Sequence, residues 1–425
     1  MGQSTFPVPS TGSSTSTVLP TNASSVILDG SLTTSGSYTT TVTGNGGIAY
    51  LTATSNPATI TINGIAYNVP SNSTVATSAT VGSGASVTVA ATTTPASSFS
   101  TSPPPATFIA STMSSSRAWQ AIAYGSGTFV ATAQTGTAGS YSNDGVNWNA
   151  MTTPSPSNGW GTVAYGNGYF VAIDNGPSPA YGAYSTNGTT WTGVSMPTGS
   201  QGWNGVAYGL ISATNYFVAV ANGTTTAYST NNGASWTSST MPASRNWQGI
   251  AYGNGYFVAV QGTGNSYAAY STNGTTWTAS TMSSGDYWFR VAYGLVGATP
   301  TYVAVHNGAN TVGAYSTNGT TWTASTMPSN NGWSCIAYGN GYFVAVAGQG
   351  GATTVGAYST NGSTWTASTM PSSYIWSGIT YGSGTFAVVP GSSTSNAAYY
   401  TFAAAPALPI LPVNFGIYNG PTKIN

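Results

Sequence analysis

The stretch 247–282, WQGIAYGNGYFVAVQGTGNSYAAYSTNGTTWTASTM, decides how the rest of the chain is read. It contains four short runs, IAYG, YFVAV, AYST and WTAST, separated by turns rich in Gly and Asn. Alternation of apolar and polar residues over such runs marks half-buried strands. The unit recurs: its leading tryptophan returns as Trp119, Trp160, Trp203, Trp247, Trp288, Trp333 and Trp376, at spacings of 41, 43, 44, 41, 45 and 43 residues. Trp148, Trp191, Trp236, Trp277, Trp322 and Trp365 fall between them, which uses all 13 tryptophans. A period in the forties with four strands per unit, here lettered A to D from the leading Trp, predicts an all-β β-propeller.

Six units are complete. The seventh, from Trp376, supplies ITYG, TFAVV and AAYYTF but no strand D. Residues 106–116, ATFIASTMSSS, align with TTWTASTMPSS, with Phe108 where the other units have Trp. The expectation is a seven-bladed β-propeller over 106–402 with velcro closure, the N-terminal D strand completing the last blade and removing two free sheet edges. Asn-Gly pairs at 187–188, 273–274, 318–319 and 361–362 read as type I′ hairpin turns joining C to D, with φ > 0 at both residues.

Outside the repeats, 1–24 is a Ser/Thr/Pro-rich extended arm, and 25–94 reads as a small β-sandwich-like domain with a hairpin signal at Asn63-Gly64. Residues 95–105 form a proline-bearing linker, and 403–425 a Pro-rich extended tail lying either on this chain or on a neighbour. The N-terminal part is the expected anchor. Two longer A–B connections, GLISATNY and GLVGATPT, are candidates for contact with that part or with another subunit.

Of 425 residues, 40% are hydrophobic and 12% aromatic, enough for a sizeable core, yet only eight are formally charged. There is no glutamate. Without clustered Lys and Arg no nucleic-acid footprint exists. No run of 18 apolar residues suggests membrane insertion, and the N-terminus has no recognisable signal peptide. Cys335, the only cysteine, sits in WSCIAYG and reads as a small buried strand residue. With one Cys, one His and scattered Asp, neither a metal cluster nor a cofactor site is drawn.

The C–D corner resembles the Asp-box, Ser-x-Asp-x-Gly-x-Thr-Trp, of sialidase-type (bacterial neuraminidase repeat) propellers. Residues Ser229 to Trp236, STNNGASW, match its spacing with Asn for Asp and Ser for Thr; Ser142 to Trp148, SNDGVNW, and the other corners are one residue shorter. The resemblance implies the fold, because the box is a structural corner in that family. Family members use three arginines, a Tyr nucleophile with a Glu partner and an Asp acid/base. Here the Glu is missing and the three propeller arginines do not occupy equivalent positions. The repeats, with a Ser/Thr-rich N-terminal β domain ahead of them, are also similar in style to bacteriophage tail-fibre and virion-surface proteins. That similarity implies a multi-copy virion protein, made in the host cytoplasm, bound to other virion proteins through its N-terminal domain.

Strand order puts the D–A and B–C loops on one face of the disc. Arg117, Arg245 and Asp286 lie in D–A loops, Asp174 and His306 in B–C loops, and Arg290 early on an inner strand; Asp144 is on a C–D turn. These first six are the candidate ligand-binding residues. The B–C loops also differ most between repeats, and variable loops on a rigid scaffold carry recognition. Their Asn, Gln, Ser, Thr and Tyr suit sugar hydroxyls, and the first Trp of each repeat would stack on pyranose rings if exposed. The competing reading makes each repeat Trp a packing element, and lets Arg245 pair with Asp286. The expected function is a non-enzymatic virion protein whose loop face recognises host glycan. The alternatives are a purely architectural virion subunit and a sialidase-like glycoside hydrolase.

Overall fold

The computed structural model describes residues 107–402, except 155–158, 177–179 and 198–200, together with the backbone of strands within 15–91 and of 413–417. The chain divides into two compact units, 99–403 and 1–98 with 404–425. The linker 95–105 lies outside the described residues.

The larger unit is an all-β propeller. In each repeat the Trp-led strand pairs antiparallel with the next, as Trp247–Gly253 does with Tyr256–Gln261, which pairs in turn with the third strand, Tyr267–Ser271. A register shift directly after every leading Trp marks a bulge there, and it recurs in all seven repeats. The ladders form six sheets, which corrects the expectation of seven separate blades. Five sheets have four strands, while the third and fourth repeats share one of six. The reason is local. The B–C loop of the third repeat is short, so Asn222 and Gly223 stay in register with Asn246 and Arg245, and Thr214–Ser229 and Thr237–Gly253 run on as single long strands.

The Trp-led strands still number seven, and they touch one another in a closed cycle that returns from Trp376–Gly382 to Trp119–Gly125. The Gly that ends each IAYG motif explains the cycle. A Cβ on Gly125 would stand 2.0 Å from the ring of Tyr165, and Gly166 meets Tyr208, Gly209 Tyr252, Gly253 Tyr293, Gly294 Tyr338, Gly339 Tyr381 and Gly382 Tyr124 in the same way. Each tyrosine lies flat on the glycine of the preceding repeat. Behind this ring the seven leading tryptophans are completely buried, with Phe129, Phe170, Phe217, Phe257, Tyr302, Phe343 and Phe386 beside them.

Strand Ile109–Arg117 pairs antiparallel with Thr394–Thr401 and supplies the outer strand of the last sheet. Phe108 is buried in that repeat's core with Trp376, Phe386 and Phe402, and its N–H donates to the Thr369 carbonyl. Met113, Met196, Met241, Met282, Met327 and Met370 repeat a buried position on the outer strands.

The turn assignment needs correcting. At the C–D corners only the Gly has positive φ (Gly188, Gly274, Gly319, Gly362), apart from the longer corner, where Asn232 joins Gly233. Pairs with positive φ at both residues occur at the A–B hairpins instead, Asn167-Gly168, Asn254-Gly255, Asn340-Gly341, Ser126-Gly127, Ser383-Gly384 and Ser212-Ala213. That is the I′ pattern. The corner Asn is retained for its side chain. In Asn273 the Oδ1 accepts from the Thr275 and Thr276 N–H groups at 2.9 and 2.8 Å, while the Ser271 hydroxyl accepts from Gly274 N at 2.9 Å.

In the smaller unit, one sheet orders the strands Thr15–Val18, Ser37–Thr43, Ser86–Ala91, Ala58–Ile62 and Ile65–Val69, the last two antiparallel; the hairpin signal Asn63-Gly64 lies outside the described residues. The other orders Gly30–Leu32, Val413–Ile417, Ile48–Ala53 and Ser73–Thr80. The tail thus adds a strand to this chain's own N-terminal unit.

Candidate binding face

Opposite each leading Trp, strand B carries Ala133, Asp174, Ala221, Gln261, His306, Ala347 or Pro390. The three polar members are fully buried and each ties down its own B–C loop. The Asp174 carboxylate accepts from Gly176 N at 2.5 Å. The Gln261 Oε1 accepts from Thr263 N at 2.8 Å, and its Nε2 donates to the Asn265 carbonyl at 2.7 Å. In His306, Nδ1 accepts from Gly308 N at 2.9 Å, which leaves Nε2 to donate to the Asn310 carbonyl at 3.0 Å. Burial holds the imidazole below its ordinary pKa, opposed by the Asn310 bond and the Asp286 charge. Asp174 and His306 are therefore internal fasteners of the loops whose variability drew attention to them.

Asp286 serves the same end from the D–A side. Its carboxylate accepts from the Ser284 hydroxyl at 2.6 Å and from Asn310 Nδ2 at 2.8 Å, fastening one loop to the other. Neither bond involves Arg245. Arg117 ends the strand paired with Thr394 and is exposed. Arg290 lies in the axial channel, away from the loops. The leading tryptophans, at 0% exposure, have no face to offer a sugar, so the stacking expectation is corrected. Among the described residues no group of three or more His, Cys or Asp side chains converges.

One place on this face does form a receptive cleft. Asn222, Gly223, Ser244, Arg245, Asn246, Thr263 and Asn265 border an open depression of about 410 Å³ where the third and fourth repeats meet. The Arg245 guanidinium carbon stands 4.3 Å above the centre of the Tyr267 ring, while its Nε is buried without a partner. Tyr267 is 40% exposed, and Tyr287, 52% exposed, packs against Gly264 of the same B–C loop. The cleft thus offers one cation with several amide and hydroxyl groups, and the exposed Tyr267 ring lies beside it under Arg245. Sequence reading named Arg245 and took the tyrosines of the B–C loops together as groups for sugar hydroxyls, without singling out Tyr267 or Tyr287. The signal was available: Tyr287 directly precedes Trp288, where the other repeats carry Ala118, Gly159, Gly202, Asn246, Gly332 and Ile375.

The opposite face carries the only acidic corner. Burial raises the Asp144 carboxyl, but bonds from Asn147 N and side chain, Val146 N and the Ser142 hydroxyl outweigh it and hold the pKa at about 2. Its role matches that of the corner asparagines.

No family model and no curated protein sequence matches the chain. Solved structures do. A streptogramin B lyase superposes with a TM-score of 0.60 at 14% identity, over 69% of this chain and 98% of that one. Virginiamycin B lyase from Staphylococcus aureus gives 0.60 at 11% identity, over 70% and 99%. YCF48 bound to D1 peptide gives 0.53 at 13% identity, over 72% and 98%. At such identities the likeness concerns the propeller fold alone.

Proposed function

We propose that this chain is a non-enzymatic structural protein of a virus particle whose loop face holds a host-surface glycan in the cleft around Arg245 and Tyr267. The observation that carries the reading is the pairing of a cation, its Nε buried and unpartnered, with an exposed aromatic ring beside Asn222, Asn246, Thr263 and Asn265. Sugars are bound by such combinations: an aromatic face meets the C–H side of a pyranose while amides and hydroxyls take up its hydroxyl groups. The Arg245 charge favours a sugar bearing a carboxylate. The acidic and imidazole groups of this face are committed to loop hydrogen bonds, which supports binding over acid–base chemistry. Counted by inner strands rather than by sheets, the propeller is proposed to be seven-bladed, and the N-terminal unit to be its anchor among other virion proteins in a multi-copy assembly.

The test is binding of the full chain to a glycan array and to candidate host cells, with periodate-treated cells as control and sialoside hydrolysis followed in parallel. Saturable, periodate-sensitive binding without turnover supports the proposal. Turnover would favour the sialidase-like alternative. Absence of binding would favour the architectural reading, for which exposed Leu210 and Leu295 on the long A–B turns are the supporting observation.

A further inference from the structure

The propeller axis encloses about 130 Å³, bounded by residues from all seven Trp-led strands. Ile122, Val163, Val206, Ile250, Val291, Ile336 and Ile379 form an aliphatic ring there, and Gln120, Asn204, Gln248 and Ser377 add polar groups. Among these lining residues Arg290 is the only charged one. Its position, two after the leading Trp, holds Ala121, Thr162, Gly205, Gly249, Cys335 and Gly378 in the other repeats. A bulky cation stands where six repeats keep a small neutral residue.

The guanidinium is held firmly from one side. Its Nη1 donates to the Gln248 carbonyl at 3.0 Å and to the Phe289 carbonyl at 3.1 Å, and its carbon lies 4.1 Å from the centre of the Phe289 ring. These are its hydrogen bonds among the described residues, so Nε and Nη2 have no protein partner there. Burial pulls its pKa to about 10, so it remains a cation at neutral pH. The neighbouring Cys335 thiol cannot balance it: burial, opposed by the Ser334 bond and the Arg290 charge, pushes that thiol up to about 12. The side chain is only half-buried, and its free nitrogens are not among the buried unpartnered atoms, so they open onto the channel rather than into packed protein. The free Nε–Nη2 edge is the fork that grips two oxygens of one anion.

We infer that the axial channel is a binding site for a small oxyanion, a carboxylate or phosphate of a few heavy atoms, held by Arg290. The site goes beyond the glycan cleft, shares no residue with it, and is tested separately. The aliphatic ring and the confined space exclude a sugar ring and favour a compact ion whose remaining oxygens face Gln120 or the second Nε2 hydrogen of Gln248; Asn204 Nδ2 already donates to Asn222 Oδ1 and to the Trp247 carbonyl.

The experiment measures thermal unfolding of the full chain against inorganic phosphate, formate and sodium chloride at matched ionic strength, for the wild type and for Arg290→Gln and Arg290→Lys. The expected result is saturable stabilisation of the wild type by phosphate or formate beyond that given by chloride. Arg290→Gln should weaken apparent affinity about tenfold or more, and Arg290→Lys should fall between. Stabilisation that is absent, unsaturable or equal in Arg290→Gln would overturn the inference. Should Arg290→Gln fail to fold, the phosphorus NMR line of phosphate with wild-type protein decides: broadening relieved by formate supports the site, and an unbroadened line, or broadening that formate does not relieve, overturns it.

Discussion

Asp144 and the corner asparagines show how little the C–D corner asks of its residue. One side-chain oxygen must accept two N–H groups, as Asp144 does from Val146 and Asn147 and Asn273 from Thr275 and Thr276. The remaining atom then sets the partner. Asn147 Nδ2 donates to the second Asp144 oxygen at 2.7 Å, whereas Asn273 Nδ2 donates to Thr276 Oγ1 at 2.8 Å. Asp144→Asn with Asn147→Thr should therefore leave the melting temperature nearly unchanged at pH 7. The wild type should lose stability as pH falls from about 4 toward 2, because the folded carboxyl resists protonation while the unfolded one accepts it; the double variant should lose less over that range. His306 acts in the same direction at higher pH. Its folded pKa is depressed, so the unfolded chain takes up the proton first and stability declines as pH drops below about 6.5. His306→Gln, borrowing the residue that performs this task as Gln261, should flatten that part of the profile in urea melts at pH 5 to 7.

Strands and turns are fixed by contacts that repeat. Gly253 has no room for a methyl, since its Cβ would fall 2.2 Å from the Tyr293 ring. Gly253→Ala should cost about 1–3 kcal/mol, read from denaturant midpoints. In the long A–B turn of the third repeat, Ala213 occupies φ +66° where most hairpins have Gly. Left-handed backbone is unfavourable for Ala, so Ala213→Gly should stabilise by about 0.5–1 kcal/mol. These elements also show what was legible. The Trp period and the alternation of IAYG and YFVAV revealed the strands, because burial on a pleated sheet leaves a period of two in any sequence. The role of Asn-Gly did not follow from the dipeptide: the same pair makes an I′ turn at 254–255 and a side-chain-braced corner at 273–274, and only flanking Ser271 and Thr276 distinguish them. Nor was the shared sheet of the third and fourth repeats visible, since it depends on continued pairing of Asn222 with Asn246.

At the scale of the whole molecule, a chain with eight charged residues uses two of the four in the loops of this face, Asp174 and Asp286, to hold loops together, and leaves Arg245 in a cleft, Arg117 exposed and Arg290 in the axial channel. The candidate site was half legible. Charge placement pointed to the loop face and to Arg245, but Asp174 and His306 look identical in sequence whether they face solvent or fasten a loop from within. Tyr267, which lies beside the cleft under Arg245, was hidden among 28 tyrosines, many of which build the ring seam. The most direct measurement is a titration of the full chain, wild type beside Arg245→Ala and Tyr267→Ala, against the glycan that best retains it. The account predicts that each variant, folded with an unchanged melting profile, binds at least about tenfold more weakly, as loss of a stacking ring or charged bond requires. Wild-type affinity in both variants would contradict it.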